Sequence, residues 1–234
     1  MEYNSGMSRQ SHTPIAPPDA AGRRLVLASG SPRRRDIVTK YLRHVELARP
    51  AGDEPRAGAG EAPGAYALRV ARMKAREVGG RNPGALVIAA DTIVVLDGDI
   101  LGKPDNPSQA TGMLKGLRGR RHDVHTAIAV LDTGTGGSGE SVASTSVMMR
   151  RYSDEEIETY VATGDPLDKA GAYAIQDPVF QPAERIDGCY LNVVGLPLCL
   201  LVTLLKQTEI PDPLWPGARV PAECDGCMLE AVAR

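Results

Sequence analysis

Asp91, Lys74, Lys103 and the arginine run Arg33 to Arg35 are the side chains of this sequence best suited to chemistry on a phosphate. Asp91 follows Ala85-Leu86-Val87-Ile88-Ala89-Ala90, a continuous apolar run that reads as a buried strand ending at the aspartate. At the carboxyl end of such a strand side chains leave the core and face a crevice, where a carboxylate can bind a metal or take a proton from water. A turn or capping role is the plainer reading of an aspartate, and Asp97 and Asp105 fit that one. Lys74 falls inside the apolar arc of an amphipathic helix predicted from about Pro63 to Val78. At about 100° per residue, Ala67, Leu68, Val70, Ala71, Ala75 and Val78 share its face, while Arg69, Arg72 and Arg76 fall opposite, in solvent. A lysine so placed snorkels, pairs with a carboxylate, or reaches a polar cleft. The cleft is favoured, because burying an unpaired charge is costly.

The arginine run sits where a helix dipole disfavours it. Ser31 is the expected N-cap and Pro32 the first helical residue, so Arg33, Arg34 and Arg35 occupy the first turn. An anion docked there meets free backbone N–H groups and guanidinium forks, which makes Ser29-Gly30-Ser31 and the helix start a phosphate cradle. A solvated basic turn is the alternative. Gly102-Lys103-Pro104 holds a lysine in a constrained loop as a point charge for phosphate. In Asp168 to Gln176, small residues admit a ligand close to the backbone, and the Gln176 amide can read a base edge.

The elements that must position these groups alternate along the chain. Arg24 to Ala28 reads as a strand, followed by the helix with Ile37, Val38, Tyr41 and Leu42 on its apolar stripe. Residues 49–64, rich in Gly, Pro and Ala, read as a mobile loop carrying Asp53 and Glu54. After Asp91, Ile93 to Leu96 continues extended into an Asp97-Gly98 turn. A helix near Ser108 to Leu117, strands at Val124 to Leu131 and Val142 to Met149, a capped helix from Ser153 and a last helix from Leu198 to Lys206 complete the pattern. The absence of a strict strand–helix–strand rhythm predicts a mixed sheet.

A formal net charge of −2 argues against a general nucleic-acid binder, and no apolar run is long enough to span a bilayer. Residues 1–22 are polar and Pro-rich without an apolar h-region, so they read as a disordered leader and a cytoplasmic location is expected. Cys224 and Cys227 form a lone C-x-x-C in a tail over 209–234; zinc would need two further ligands, and a solvent-exposed tail is the favoured reading.

Together, Leu27 to Arg34, Ala90 to Val94, Gly102 to Pro104, Asp168 to Gln176 and Asn192 to Leu198 resemble the Maf family. Its members are nucleoside triphosphate pyrophosphatases related in fold to inosine-triphosphate pyrophosphatase. The resemblance implies an α/β fold over residues 23–208: a mixed twisted sheet with flanking helices, and two lobes around a deep cleft. It implies a divalent metal cation, Mg²⁺ or Mn²⁺, hydrolysis to nucleoside monophosphate and pyrophosphate, and a homodimer. By motif position Asp91 is the proton acceptor, and Glu54 is the second acid, ligating or orienting the metal beside Asp91. Lys74 and Lys103, with Arg34, surround the phosphates, and Ser29, Ser31 and Lys169 join the substrate contacts. Arg33, Thr92 and Gln176 match positions linked to base choice and side with dTTP and UTP. Asp177 to Pro182 departs from the family pattern. A preference for 7-methyl-GTP or another modified nucleotide, or a non-catalytic nucleotide-binding role in septation, are the alternatives.

Overall fold

The computed structural model describes residues 24–42 and 44–208; the expected leader and the tail, with Cys224 and Cys227, lie outside the described residues. Three elements open the chain: β1 (Arg24–Ala28), α1 (Pro32–Tyr41) and β2 (Val45–Ala48). α2 (Pro63–Gly79) follows, then β3 (Ala85–Leu96), β4 (Asp99–Leu101) and α3 (Pro107–Leu117). Next come β5 (Arg121–Asp132), β6 (Ser138–Met149) and α4 (Asp154–Ala162). Two short 3₁₀ turns, Asp165–Asp168 and Ala170–Ala172, lead to β7 (Ala183–Asp187), α5 (Tyr190–Val194) and α6 (Leu198–Gln207).

The seven strands form one mixed sheet in the order β2-β1-β3-β5-β6-β7, with β4 also on β3. β1 pairs in parallel with β2 and β3, and all other pairs are antiparallel. The long antiparallel pairs β3–β5 and β5–β6 are its spine. Period-2 alternation sends Val26, Val87, Ala89, Ile93 and Ala127 to the face covered by α2. It sends Leu25, Leu27, Leu86, Ile88 and Val130 to the face covered by α1, α5 and α6. Further along that second face, Val94, Val124, Val147 and Met149 pack with α3 and α4 as a second lobe.

Several expectations are met at residue level. Ser31 caps α1 with Pro32 at its start, Ser153 and Glu156 make a capping box, and Gly164 ends the α4 region in a left-handed conformation. Others are corrected. Asp91 does not end its strand: β3 runs on unbroken to Leu96, because β5 pairs with it from Leu86 to Val95. β2, β7 and α5 are too short to announce themselves by periodicity. On the outer face of α2, Arg69 and Arg72 are ion-paired with Glu61 and Glu140 rather than simply solvated. No helix among the described residues is long and apolar enough to cross a membrane.

Candidate active site

β1 pairs with β3 only as far as Ala89, and β4 takes up the same edge only from Val94. Ala90 to Ile93 therefore have a strand neighbour on β5 and none on the other side. Asp91 and Thr92, adjacent in sequence, point to opposite faces of the sheet, as strand geometry requires. Through this gap in the edge both reach one cleft of about 570 Å³. Six cationic side chains (Arg33, Arg34, Arg49, Lys74, Lys103, Lys169) and four acidic ones (Asp53, Glu54, Asp91, Asp168) line it, a balance that favours an anion.

On the α2 face the alanines at 67, 71 and 75 lie against Ala28, Ala89 and Ala127, so small side chains meet along the helix–sheet seam. Lys74 is carried down to the strand. It is buried, as is Asp91, and its ammonium donates to Asp91 Oδ1 at 2.7 Å and to Glu54 Oε1 at 2.6 Å. Both roles foreseen for Lys74, pairing and reaching the cleft, are realised in one position. The two carboxylates are driven apart in proton affinity. Burial raises Asp91, against the pull of Lys74 and Arg34. Glu54 resists a smaller burial effect through Lys74, Lys103 and Arg34 and is held below the usual range. Such a split makes Asp91 the more readily protonated carboxylate of the two. Asp91 Oδ2 and Glu54 Oε2 have no hydrogen-bond partner among the described residues.

On the opposite face Arg34 reaches in from the first turn of α1. Its Nε donates to Gly195 O at 2.8 Å and its Nη2 to Thr92 Oγ1 at 2.9 Å. Burial pushes this guanidinium below its ordinary range, and Asp91 and Glu54 draw it back. Thr92 Oγ1 lies 2.9 Å from Thr126 Oγ1, and Thr126, fully buried, donates its single proton to Asn192 O at 2.9 Å. The Thr92 proton is then directed to Thr126 Oγ1 or, at 3.4 Å, to Gly195 O. The Thr92 oxygen thus offers lone pairs to Arg34 and to the cleft, and cannot donate to a ligand.

The remaining candidates line the same cleft. Ser31 N donates to Ser29 Oγ at 3.1 Å, shaping the turn before α1. Arg33 lies 3.8 Å from Asp168 across the mouth. Lys103 is exposed, with no ion-pair partner among the described residues. Lys169 is buried and differently engaged: its ammonium donates to Asp165 O, Asp165 Oδ1 and Asp168 Oδ1, so a substrate contact would require one of these bonds to exchange. Gln176 is exposed at the rim. The segment carrying Lys169 and Gln176 is tied down by Gly171, whose N–H donates to Gly102 O beside Lys103. Gly171 has φ 68°, and an added Cβ would meet Val94 at 3.0 Å, so a side chain there is both strained and crowded.

Four contributors escaped sequence reasoning. Thr126 and Asn192 form the relay behind Thr92. Buried His122 holds the Tyr173 hydroxyl at 2.7 Å beneath the cleft, with its Nδ1 unpartnered. Arg49 lines the cleft from the end of β2. Thr126 left a signal, a polar residue within the apolar run of β5, and Asn192 opens the motif Asn192 to Leu198; His122 and Arg49 are defined by placements that no local pattern shows.

A family model described as Maf-like protein matches residues 24–208. The chain is 48% identical over 192 residues to a dTTP/UTP pyrophosphatase of Anaeromyxobacter dehalogenans, covering 81% of this chain and 96% of that protein. A dTTP/UTP pyrophosphatase of Thermomicrobium roseum is 44% identical over 207 residues, 88% of this chain and 93% of its own length. One from Dehalococcoides mccartyi is 39% identical over 205 residues, 88% and 91% respectively.

Proposed function

The chain belongs to the Maf family, and we propose that it hydrolyses nucleoside triphosphates, dTTP and UTP foremost, to nucleoside monophosphate and pyrophosphate. The observation that carries this reading is the Lys74 ammonium set between Asp91 and Glu54 at the gap in the edge of β3. Burial raises the proton affinity of Asp91, which suits it to take the proton of a water attacking the α-phosphorus. Lys74 fixes that carboxylate in place. Arg34 and Lys103 supply positive charge where the triphosphate accumulates negative charge. At the other end of the cleft the Gln176 amide can pair with a base edge. Thr92, which accepts from Arg34, keeps a lone pair on the cleft side for a ligand donor.

A divalent cation fits the donor set. Mg²⁺ is commonly held by one or two carboxylates with the rest of its shell from water and phosphate oxygens, and Mn²⁺ can replace it. Asp91 Oδ2 and Glu54 Oε2 are the oxygens that would hold it, with water and substrate oxygens completing its shell. When bound, such an ion neutralises charge and polarises the phosphoryl oxygens. A homodimer and a cytoplasmic location belong to the same reading; sedimentation checks the first.

The test is a parallel assay of nucleoside triphosphates with Mg²⁺ and product identification. UTP should give equal amounts of UMP and pyrophosphate. Asp91→Asn should lower kcat by roughly 10³-fold, within the range for loss of a general base, while the circular dichroism stays that of the wild type. Formation of UDP and phosphate would overturn the assignment to the α-phosphorus.

A further inference from the structure

Arg49 is the first residue after β2, as Ser29 is the first after β1, and the two strands run in parallel. Ser29 N donates to Ala48 O, so Arg49 and the Ser29-Gly30-Ser31 turn emerge side by side at the carboxyl ends of neighbouring strands. Gly30 makes room for the arginine: a Cβ on Gly30 would lie 3.1 Å from Arg49 Nε and 3.5 Å from its Cγ and Cδ. The base of this arm is anchored. Arg49 O accepts from Arg81 at 3.3 Å, and the N–H groups of Ala51 and Gly52 donate to the Glu77 carboxylate at 2.7 and 3.3 Å.

Its far end is not. The Arg49 guanidinium lines the cleft and has neither a hydrogen-bond acceptor nor an ion-pair partner among the described residues. The other arginines and lysines of the cleft, Lys103 apart, are each engaged by the chain. Lys74 holds two carboxylates, Lys169 holds Asp165 and Asp168, Arg34 holds Gly195 O and Thr92, and Arg33 faces Asp168. A planar fork held open over a Gly turn and beside a helix N-terminus is arranged for phosphate oxygens.

We infer that Arg49 receives the pyrophosphate end of the triphosphate. Contacts order the cleft. Arg49 touches Gly30; Ser31 and Arg34 come next; Arg34 meets Thr92, beside Asp91; Val94 then leads to Gly171 and the segment bearing Gln176. With Asp91 acting at the α-phosphorus, the nucleoside extends towards Gln176 and the two departing phosphates towards Arg49. This rests on the triphosphate reading above and adds a residue for the leaving group, which makes Arg49 a determinant of triphosphate over diphosphate.

Calorimetric titration of the full chain with Mg²⁺–pyrophosphate and, separately, with UMP tests it, alongside steady-state rates on UTP and UDP. In Arg49→Ala, pyrophosphate should bind roughly 10-fold or more weakly, the scale of a lost charge-assisted fork. UMP binding should stay within about twofold, since no fork contact to the nucleoside end is lost. The preference in kcat/KM for UTP over UDP should fall by a similar factor, and Arg49→Lys should recover part of it. Arg49 is exposed, so the variant should fold. Unchanged pyrophosphate binding, or equal weakening of UMP, overturns the inference while leaving the enzyme intact. A wild-type chain that forms no pyrophosphate from UTP overturns both readings.

Discussion

Lys74→Met isolates the interaction on which the site is built. The Lys74 and Asp91 side chains are 9% and 7% exposed, so removing the ammonium strands a carboxylate away from water. Breaking one side of a buried pair typically costs about 3–5 kcal/mol. Methionine keeps much of the lysine stem's volume, so little of the loss should come from a cavity. Asp91 has an escape, because it can bind a proton. Lifting its pKa from about 4 to neutrality costs about 1.4 kcal/mol per unit, which caps the loss near 4 kcal/mol at pH 7. The sign with pH follows. In the variant the folded pKa of Asp91 rises further above the unfolded value, so the folded state binds the extra proton and stability falls as pH increases between the two. The deficit against the wild type should be about 3–4 kcal/mol at pH 7 and shrink by up to about 1.4 kcal/mol per unit towards pH 5. Urea unfolding across that range measures it, and Lys74→Met with Asp91→Asn should lose far less than the sum of the two single changes. A deficit under about 1 kcal/mol, or one independent of pH, would refute the electrostatic account and leave only packing.

Two further outcomes follow from groups behind the cleft. His122 is buried and its pKa is lowered by burial to about 4, against about 6.5 when unfolded. The unfolded state therefore binds more protons between those values, and about 3 kcal/mol of stability should be lost as pH falls through that window. His122→Phe should flatten this acid limb in denaturation curves at pH 7 and pH 4.5; an unchanged slope would assign it elsewhere. Thr126→Val removes the nearer of two acceptors for the Thr92 hydroxyl and leaves Asn192 O without the Thr126 donor. A loss of roughly 10-fold in kcat/KM for UTP is expected, with Thr126→Ser close to wild type; a loss in Thr126→Ser with Thr126→Val close to wild type would show that shape and not the proton matters.

Much of the site was legible because its groups break local rules. Arginines in the first turn of a helix, a lysine inside an apolar arc and an aspartate interrupting an apolar strand are each unfavourable unless something distant compensates. Lys74 meets Asp91 and Glu54, and Arg34 turns away from the helix start onto Thr92 and Gly195. β3 runs through Asp91 to Leu96 where its sequence predicts an end, and the reason is physical. An apolar run followed by Asp-Thr looks like a strand ending, but what ends near Ala89 is the neighbour, β1. Strand length is written in local residue types, whereas the lengths of both partners on one edge are settled by loops and packing elsewhere. For the same reason Arg49 gave no signal. In sequence it is one basic residue before a Pro- and Gly-rich loop, and only the parallel pairing of β1 with β2 sets it beside Gly30. The gap between β1 and β4 is therefore the feature that turns suggestive residues into a site. It lets consecutive side chains on opposite faces of one strand open onto the same cleft, so Asp91 with Lys74 and Thr92 with Arg34 stand back to back across a single layer of backbone. Had β1 continued alongside β3 to Ile93, the same residues would be divided between two faces, with no common ligand.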